Sequence, residues 1–126
     1  MAAHWDSRLV GTWAATGNEM AVLTTYAAGL ADLDKDVNGR FEVPLLCALT
    51  FDREHGLPRN SPATAAIRLT RPKLSTLWAA GFSFSKCHAD AIAPYDPNLP
   101  QIFDGEEFSR GARLWTVSRA CAAIDI

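Results

Sequence analysis

The sequence predicts a mixed α/β sheet with flanking helices, built as one small domain. Three observations carry that expectation. Apolar runs rich in β-formers, MAVLTTY over residues 20–26 and PLLCALT over residues 44–50, alternate with stretches of helical periodicity. The connections are long and irregular, as they are where ligands gather at the strand ends of such sheets. Finally, 126 residues at 48% hydrophobic content suffice for one modest core and are too apolar for a disordered chain.

The first element is a helix over residues 5–16, where Trp5, Leu9, Trp13 and Ala14 keep helical spacing. Asp6 or Ser7 is positioned to cap its start, and Gly17-Asn18 to stop it. A buried strand follows over residues 20–26. Residues 27–42, with Asp32, Asp34, Lys35, Asp36, Asn38 and Gly39, read as a solvated loop. A calcium loop does not fit there. It needs Gly sixth and Glu twelfth; counting from Asp32 gives Val37 and Val43, and counting from Asp34 gives Leu45 twelfth.

Residues 44–50 form a second strand, and residues 51–63, with Gly56, Pro58, Asn60 and Pro62, a turn-rich loop. AAIRLT over residues 65–70 alternates like a strand and ends at Arg71-Pro72. Another strand spans residues 78–85, with Ser85 capping a helix over residues 86–92. Residues 93–104 hold Pro94, Pro97 and Pro100 and form a loop. The last helix, residues 106–116, places Phe108, Ala112 and Trp115 on one face and Arg110 and Arg113 outside it.

Charge is nearly balanced, 12 basic against 14 acidic residues, with no basic stripe, so no nucleic-acid partner is expected. No apolar run nears the roughly 20 residues that span a bilayer, so no membrane segment is expected. The opening MAAHWDSRLV lacks the apolar core of a signal peptide. The expected compartment is cytoplasmic, or the Golgi if an anchor lies upstream. Cys47, Cys87 and Cys121 are widely spaced and read as buried free thiols. His4 and His88 lack partnered spacing and read as structural or surface residues.

Two short segments carry the candidate chemistry. In Ala79-Ala80-Gly81-Phe82, a small-residue strand end, Gly81 lets a sugar or pyrophosphate lie against its backbone, or lets the strand pack closely under another element. In Phe103-Asp104-Gly105-Glu106-Glu107, acceptor-only carboxylates suit vicinal hydroxyl donors. The same pair at a helix start also stabilises the helix by itself.

With the Pro94-Tyr95-Asp96-Pro97 loop and Arg113-Leu114-Trp115, these segments resemble the Skp1-type N-acetylglucosaminyltransferase (GlcNAc) family. More distantly, they resemble the Trp-Gly-Gly-Glu-Asn helix of polypeptide GalNAc-transferases. The family-like region covers about residues 4–116, with 117–126 a divergent tail in which Val117-Ser118-Arg119 replaces the family's His-Gly continuation. The resemblance implies a partial GT-A-like domain filling the chain, which would begin and end inside it. It implies a retaining transfer of N-acetylglucosamine from UDP-GlcNAc to a protein acceptor, on hydroxyproline or Ser/Thr. Glu106 and Glu107 would be the catalytic pair, and Ala80, Gly81, Phe82, Asp104, Gly105 and Arg113 would bind substrate. Gly81, Glu106 and Glu107 would share one concave pocket.

Mn²⁺ or Mg²⁺ is implied on the donor pyrophosphate. The motif that would hold it falls just before Met1, and Asp6-Ser7-Arg8 does not match it, so no metal ligand is assigned in this chain and weak activity is expected. Two rival readings are a non-catalytic sugar-nucleotide or protein interaction domain and a GalNAc-transferase relative. Glu107 in place of Asn argues against the latter.

Overall fold

The computed structural model describes residues 3–27, 42–61, 65–67, 69–118 and 121–123. Helix α1 (Trp5–Ala14) leads into strand β1 (Val22–Thr25). Short strands follow: β2 (Glu42–Pro44), β3 (Ala48–Phe51), β4 (Pro58–Ser61), β5 (Ala65–Ile67), β6 (Lys73–Ser75) and β7 (Phe82–Phe84). Helices α2 (Cys87–Ile92) and α3 (Glu106–Ser118) precede strand β8 (Cys121–Ala123). The fold is mixed α/β, as the alternation predicts. The main sheet has the order β6-β8-β1-β7, and β2 with β5 and β3 with β4 form separate antiparallel pairs. Among the described residues only the β1–β8 pairing is parallel; β7 runs antiparallel to β1, with Leu23 opposite Phe84 and Thr25 opposite Phe82.

Strand β1 is buried along its whole length because successive side chains point to opposite faces and both faces are covered. Val22 packs with Trp78, Ala89, Ala93 and Leu114, the α2 and α3 side. Leu23 packs with Leu9, Trp13, Phe82 and Phe84, the α1 side. The Trp13 indole N–H donates to the Ala21 carbonyl at 2.9 Å, fixing α1 to the entry of β1.

Several boundaries differ from the sequence expectation. The predicted strand 44–50 breaks at residues 45–47, where Leu46 turns inward against Leu77 and Ala79. Its carbonyl accepts from the Leu77 amide at 3.2 Å and the Ser75 hydroxyl at 3.0 Å. The predicted loop 51–63 contains β4, because the Asp52 carboxylate accepts the amides of Glu54, His55 and Leu57 at 2.8–2.9 Å and folds the chain back. Over residues 78–85 only β7 is strand. The Thr24 hydroxyl accepts the Ala79 amide at 2.8 Å and donates to its carbonyl at 2.9 Å, so a side chain replaces the ladder there. Strand β6 was not foreseen, and β5 stops at Ile67 rather than residue 70.

Helix α1 starts after His4, which adopts a left-handed conformation (φ 59°), so neither Asp6 nor Ser7 caps it. Lys86, not Ser85, stands at the cap of α2, without a side-chain bond. Helix α3 is rotated from the expected face. Arg110, Gly111 and Leu114 are buried, whereas Phe108 and Ala112 face outward. Cys47 and Cys87 are free but exposed, not buried, and nothing is described of the Cys121 side chain. The loop reading for residues 27–42 and its failed calcium pattern fall almost wholly on 28–41, outside the described residues. In the tail, 117–118 continue α3 and 121–123 form β8.

Candidate functional site

The exit of β1, the β3–β4 hairpin, the turn at residues 80–81 and the start of α3 converge on a cavity of about 260 Å³. Tyr26, Pro58, Arg59, Asn60, Ala80 and residues 103–107 line it. The carboxylate wall exists because Gly105 takes a positive φ of 86°, which turns the chain from the Phe103-Asp104 segment into the helix. Its carbonyl accepts the Ser109 amide at 2.9 Å as the first helical turn closes.

The two glutamates divide the work. Glu107 spends both oxygens on the protein: Oε1 accepts the Ala80 amide at 2.8 Å, and Oε2 accepts the Tyr26 hydroxyl. Tyr26 is held in turn by the Asn60 amide, whose Nδ2 donates to the Tyr26 oxygen at 3.1 Å and to the Trp78 carbonyl at 2.7 Å. Glu107 is therefore a brace across three elements. Glu106 lies against Tyr95 and, unlike Glu107, keeps acceptor capacity for a ligand. Tyr95 is itself wedged between the Arg110 guanidinium, 4.6 Å from its ring centre, and the edge of Trp78, 6.4 Å away.

Ala80, Asp104, Gly105, Glu106 and Glu107 are thus brought together at one cavity. Gly81 sits next to the wall rather than in it. A Cβ there would lie 3.2 Å from Tyr26 Cδ1 and 3.4 Å from Tyr26 Cα, so the space its missing side chain leaves is taken by Tyr26. Phe82 packs into the Leu9–Leu23 core instead. Arg113 ties down the preceding loop, donating from Nε to the Pro94 carbonyl at 2.7 Å and approaching Asp96 at 3.9 Å. Asp96 folds back on the Asn98 amide at 2.9 Å, as its place before proline suggests. Sequence reasoning missed Tyr26, Arg59 and Asn60. The signal for the latter two was Asp52 ahead of Gly56, which marks a closed turn and hence a hairpin.

Charge is arranged with the same economy. Asp104 pairs with Arg59, Nε to Oδ1, at 3.1 Å. Burial, then the bond to Glu107, pushes the Tyr26 phenol up to about 12. Burial and the Glu106 charge also push Tyr95 up. Both phenols stay protonated at neutral pH and serve as donors. The cavity is smaller than the roughly 300–1,000 Å³ that encloses a drug-sized ligand, so it suits one sugar-sized ring and part of what the ring is attached to.

On an α/β scaffold this makes a domain with a small polar cavity, acidic at the start of α3 and bordered by Tyr26, Asn60 and Arg59. The family model described as Glycosyltransferase (GlcNAc) matches residues 1–118, and the chain belongs to that family. No curated protein and no solved structure matches the chain. Among the described residues no helix is long and apolar enough to cross a membrane.

The resemblance to metal-using transferases can be tested against the side chains present. Among the described residues no three of His, Cys, Asp and Glu converge to hold an ion. Both Glu107 oxygens are engaged and Asp104 is paired. These residues do not fit a divalent cation, and no step below is routed through one.

Proposed function

We propose that this chain forms the sugar pocket of a transferase that moves N-acetylglucosamine from UDP-GlcNAc to a protein hydroxyl, on hydroxyproline or Ser/Thr, in a GT-A-like setting. The observation that carries the reading is the division of the acidic pair. Glu107 is fully engaged in holding the cavity together, which leaves Glu106 to accept ring hydroxyls at the start of α3. In the transfer, the bond from the anomeric carbon to the diphosphate breaks as the bond to the acceptor oxygen forms. The acceptor's proton leaves on a phosphate oxygen of the departing UDP, in keeping with retention and with no dedicated base. Glu106 holds and orients the ring, while the bond between Tyr26 and Glu107 ties the walls together.

The test is transfer of labelled sugar from UDP-GlcNAc to Ser/Thr and hydroxyproline peptides, with and without Mn²⁺. Glu106→Gln keeps the shape but replaces an ionised acceptor with an amide. It is expected to cut transfer about ten-fold, the rate equivalent of losing about 1.4 kcal/mol of charge-assisted bonding. Its melting temperature should match the parent. Unchanged transfer by Glu106→Gln sinks the assignment. A second reading is favoured by the bracing of Glu107, which leaves only Glu106 of the acidic pair open: a domain that binds the nucleotide sugar without turning it over. Binding that depends on Glu106, with no transfer under any condition, would select it.

A further inference from the structure

A nucleotide sugar has two chemically opposed parts, a ring of hydroxyl donors and a diphosphate anion. The start of α3 suits only the first, since Asp104, Glu106 and Glu107 all lie there. An anion beside Glu106 is repelled, so the diphosphate of a ring held at Glu106 turns toward the opposite wall. That wall is the β3–β4 hairpin, and Arg59 is the only cation among the described residues lining the cavity. We infer that Arg59 holds the diphosphate of the sugar nucleotide, with its guanidinium oriented by Asp104. This rests on the reading of the cavity as a nucleotide-sugar site.

The geometry suits that role. The Arg59 side chain is half exposed, and its Nε lies 3.1 Å from Asp104 Oδ1 as an ion pair whose geometry is not that of a hydrogen bond. Among the described residues, its two terminal nitrogens take no hydrogen-bond partner. A guanidinium drawn toward a carboxylate on its Nε side leaves those nitrogens as a planar fork, the arrangement that grips phosphate oxygens in pairs. Asp104 is itself set by the Gly105 turn, and β4 is fixed by the three amides that Asp52 gathers. Arg59 lines the cavity together with Tyr26, and its charge opposes the upward shift of the Tyr26 phenol. Arg59 makes and breaks no bond. It offsets the negative charge that grows on the diphosphate as the anomeric bond opens.

The experiment is calorimetric titration of the chain with UDP-GlcNAc, UDP and uridine. The parent should bind UDP more tightly than uridine, and added salt should erode that difference. Arg59→Gln should weaken UDP and UDP-GlcNAc about ten-fold and leave uridine unchanged. Arg59→Lys, which keeps the charge without the fork, should fall between. Glu106→Gln should weaken UDP-GlcNAc but not UDP, separating the ring from the diphosphate. If Arg59→Gln, melting like the parent, binds UDP as tightly as the parent, the inference fails and the nucleotide-sugar reading stands. Should the parent not bind UDP-GlcNAc at all, both fall together.

Discussion

The Tyr26 hydroxyl sits between the Glu107 carboxylate and the Asn60 amide, donating to one and accepting from the other. Burial disfavours its charged form and the bond to Glu107 holds its proton, so its pKa rises from 10.0 to about 12. An unfolded chain loses this proton near pH 10, whereas the folded chain keeps it to about 12. The contribution to stability is therefore complete below pH 10 and is lost as pH rises toward about 12. The chain has two tyrosines, Tyr26 and Tyr95, and both are shifted up. Tyrosinate absorbance in the folded protein should thus appear later than for a free phenol, with Tyr95→Phe isolating Tyr26. An onset at the ordinary value would mean that the bond to Glu107 does not form. Gly81 offers a second check at this scale. Gly81→Ala should cost about 1–3 kcal/mol of stability by crowding Tyr26, with donor affinity falling only as the fold loosens. The acidic pair was legible in the sequence because carboxylates at a helix start follow a local rule. Tyr26 was not, since its partner lies 81 residues away and no local pattern links them.

Helix α3 shows how an element can be foreseen while its orientation is not. Apolar spacing selects Phe108, Ala112 and Trp115 as the inner face, yet Phe108 is 42% exposed and Arg110 only 4%. Two specific contacts override hydrophobicity. Arg110 stacks on Tyr95 and pairs with Asp90, and Gly111 lets the helix close onto the Trp78 backbone. A Cβ at Gly111 would lie 3.3 Å from the Trp78 amide nitrogen, an atom that cannot swing away. Gly111→Ala should therefore destabilise by about 1–3 kcal/mol through overpacking, despite the roughly 1 kcal/mol that alanine gains in a helix. Denaturant unfolding measures this, and a stabilised variant would show that the contact is looser than described. The hairpin makes the parallel point. Its second strand was hidden by Gly56 and Pro58, which read as breakers, whereas the three amides on Asp52 make the break a turn. Those bonds also hold the Asp52 carboxyl below its ordinary pKa, so their contribution is present at neutral pH and lost as pH falls through the lowered value. Asp52→Ala should loosen the Arg59 wall and weaken UDP binding while leaving α3 intact, as followed by titration beside circular dichroism.

At the scale of the molecule, the alternation of β-type and helical runs was enough to predict a mixed α/β domain, and β1 was legible because it lies in a run rich in β-formers. Sheet order was not, because β6 and β8 are three-residue strands with no periodicity to read. Yet β8 lies between β6 and β1 and joins them, antiparallel to one and parallel to the other. A chain ending at Ser118 would contain every residue that the family model matches and still lack that strand. It should melt without a cooperative transition and bind a hydrophobic dye, as two unpaired strand edges come apart. A sharp melt like the parent's would show the strand to be dispensable.

The placement of β8 has a consequence for how the chain is made. Synthesis runs from β1 to β8, so the strand at the middle of the sheet emerges after both of its neighbours. Until then β1 has only β7 beside it and β6 has no partner in this sheet. Residues 22–118 therefore leave the ribosome as a clasp left open, able to gather around helix and hairpin but not to lock. At the common pace of about 5–20 residues per second, that interval is brief for a steadily moving ribosome. A pause before β8 emerges would prolong it, and a nascent chain held there would offer its bare strand edges to a chaperone or to another nascent copy.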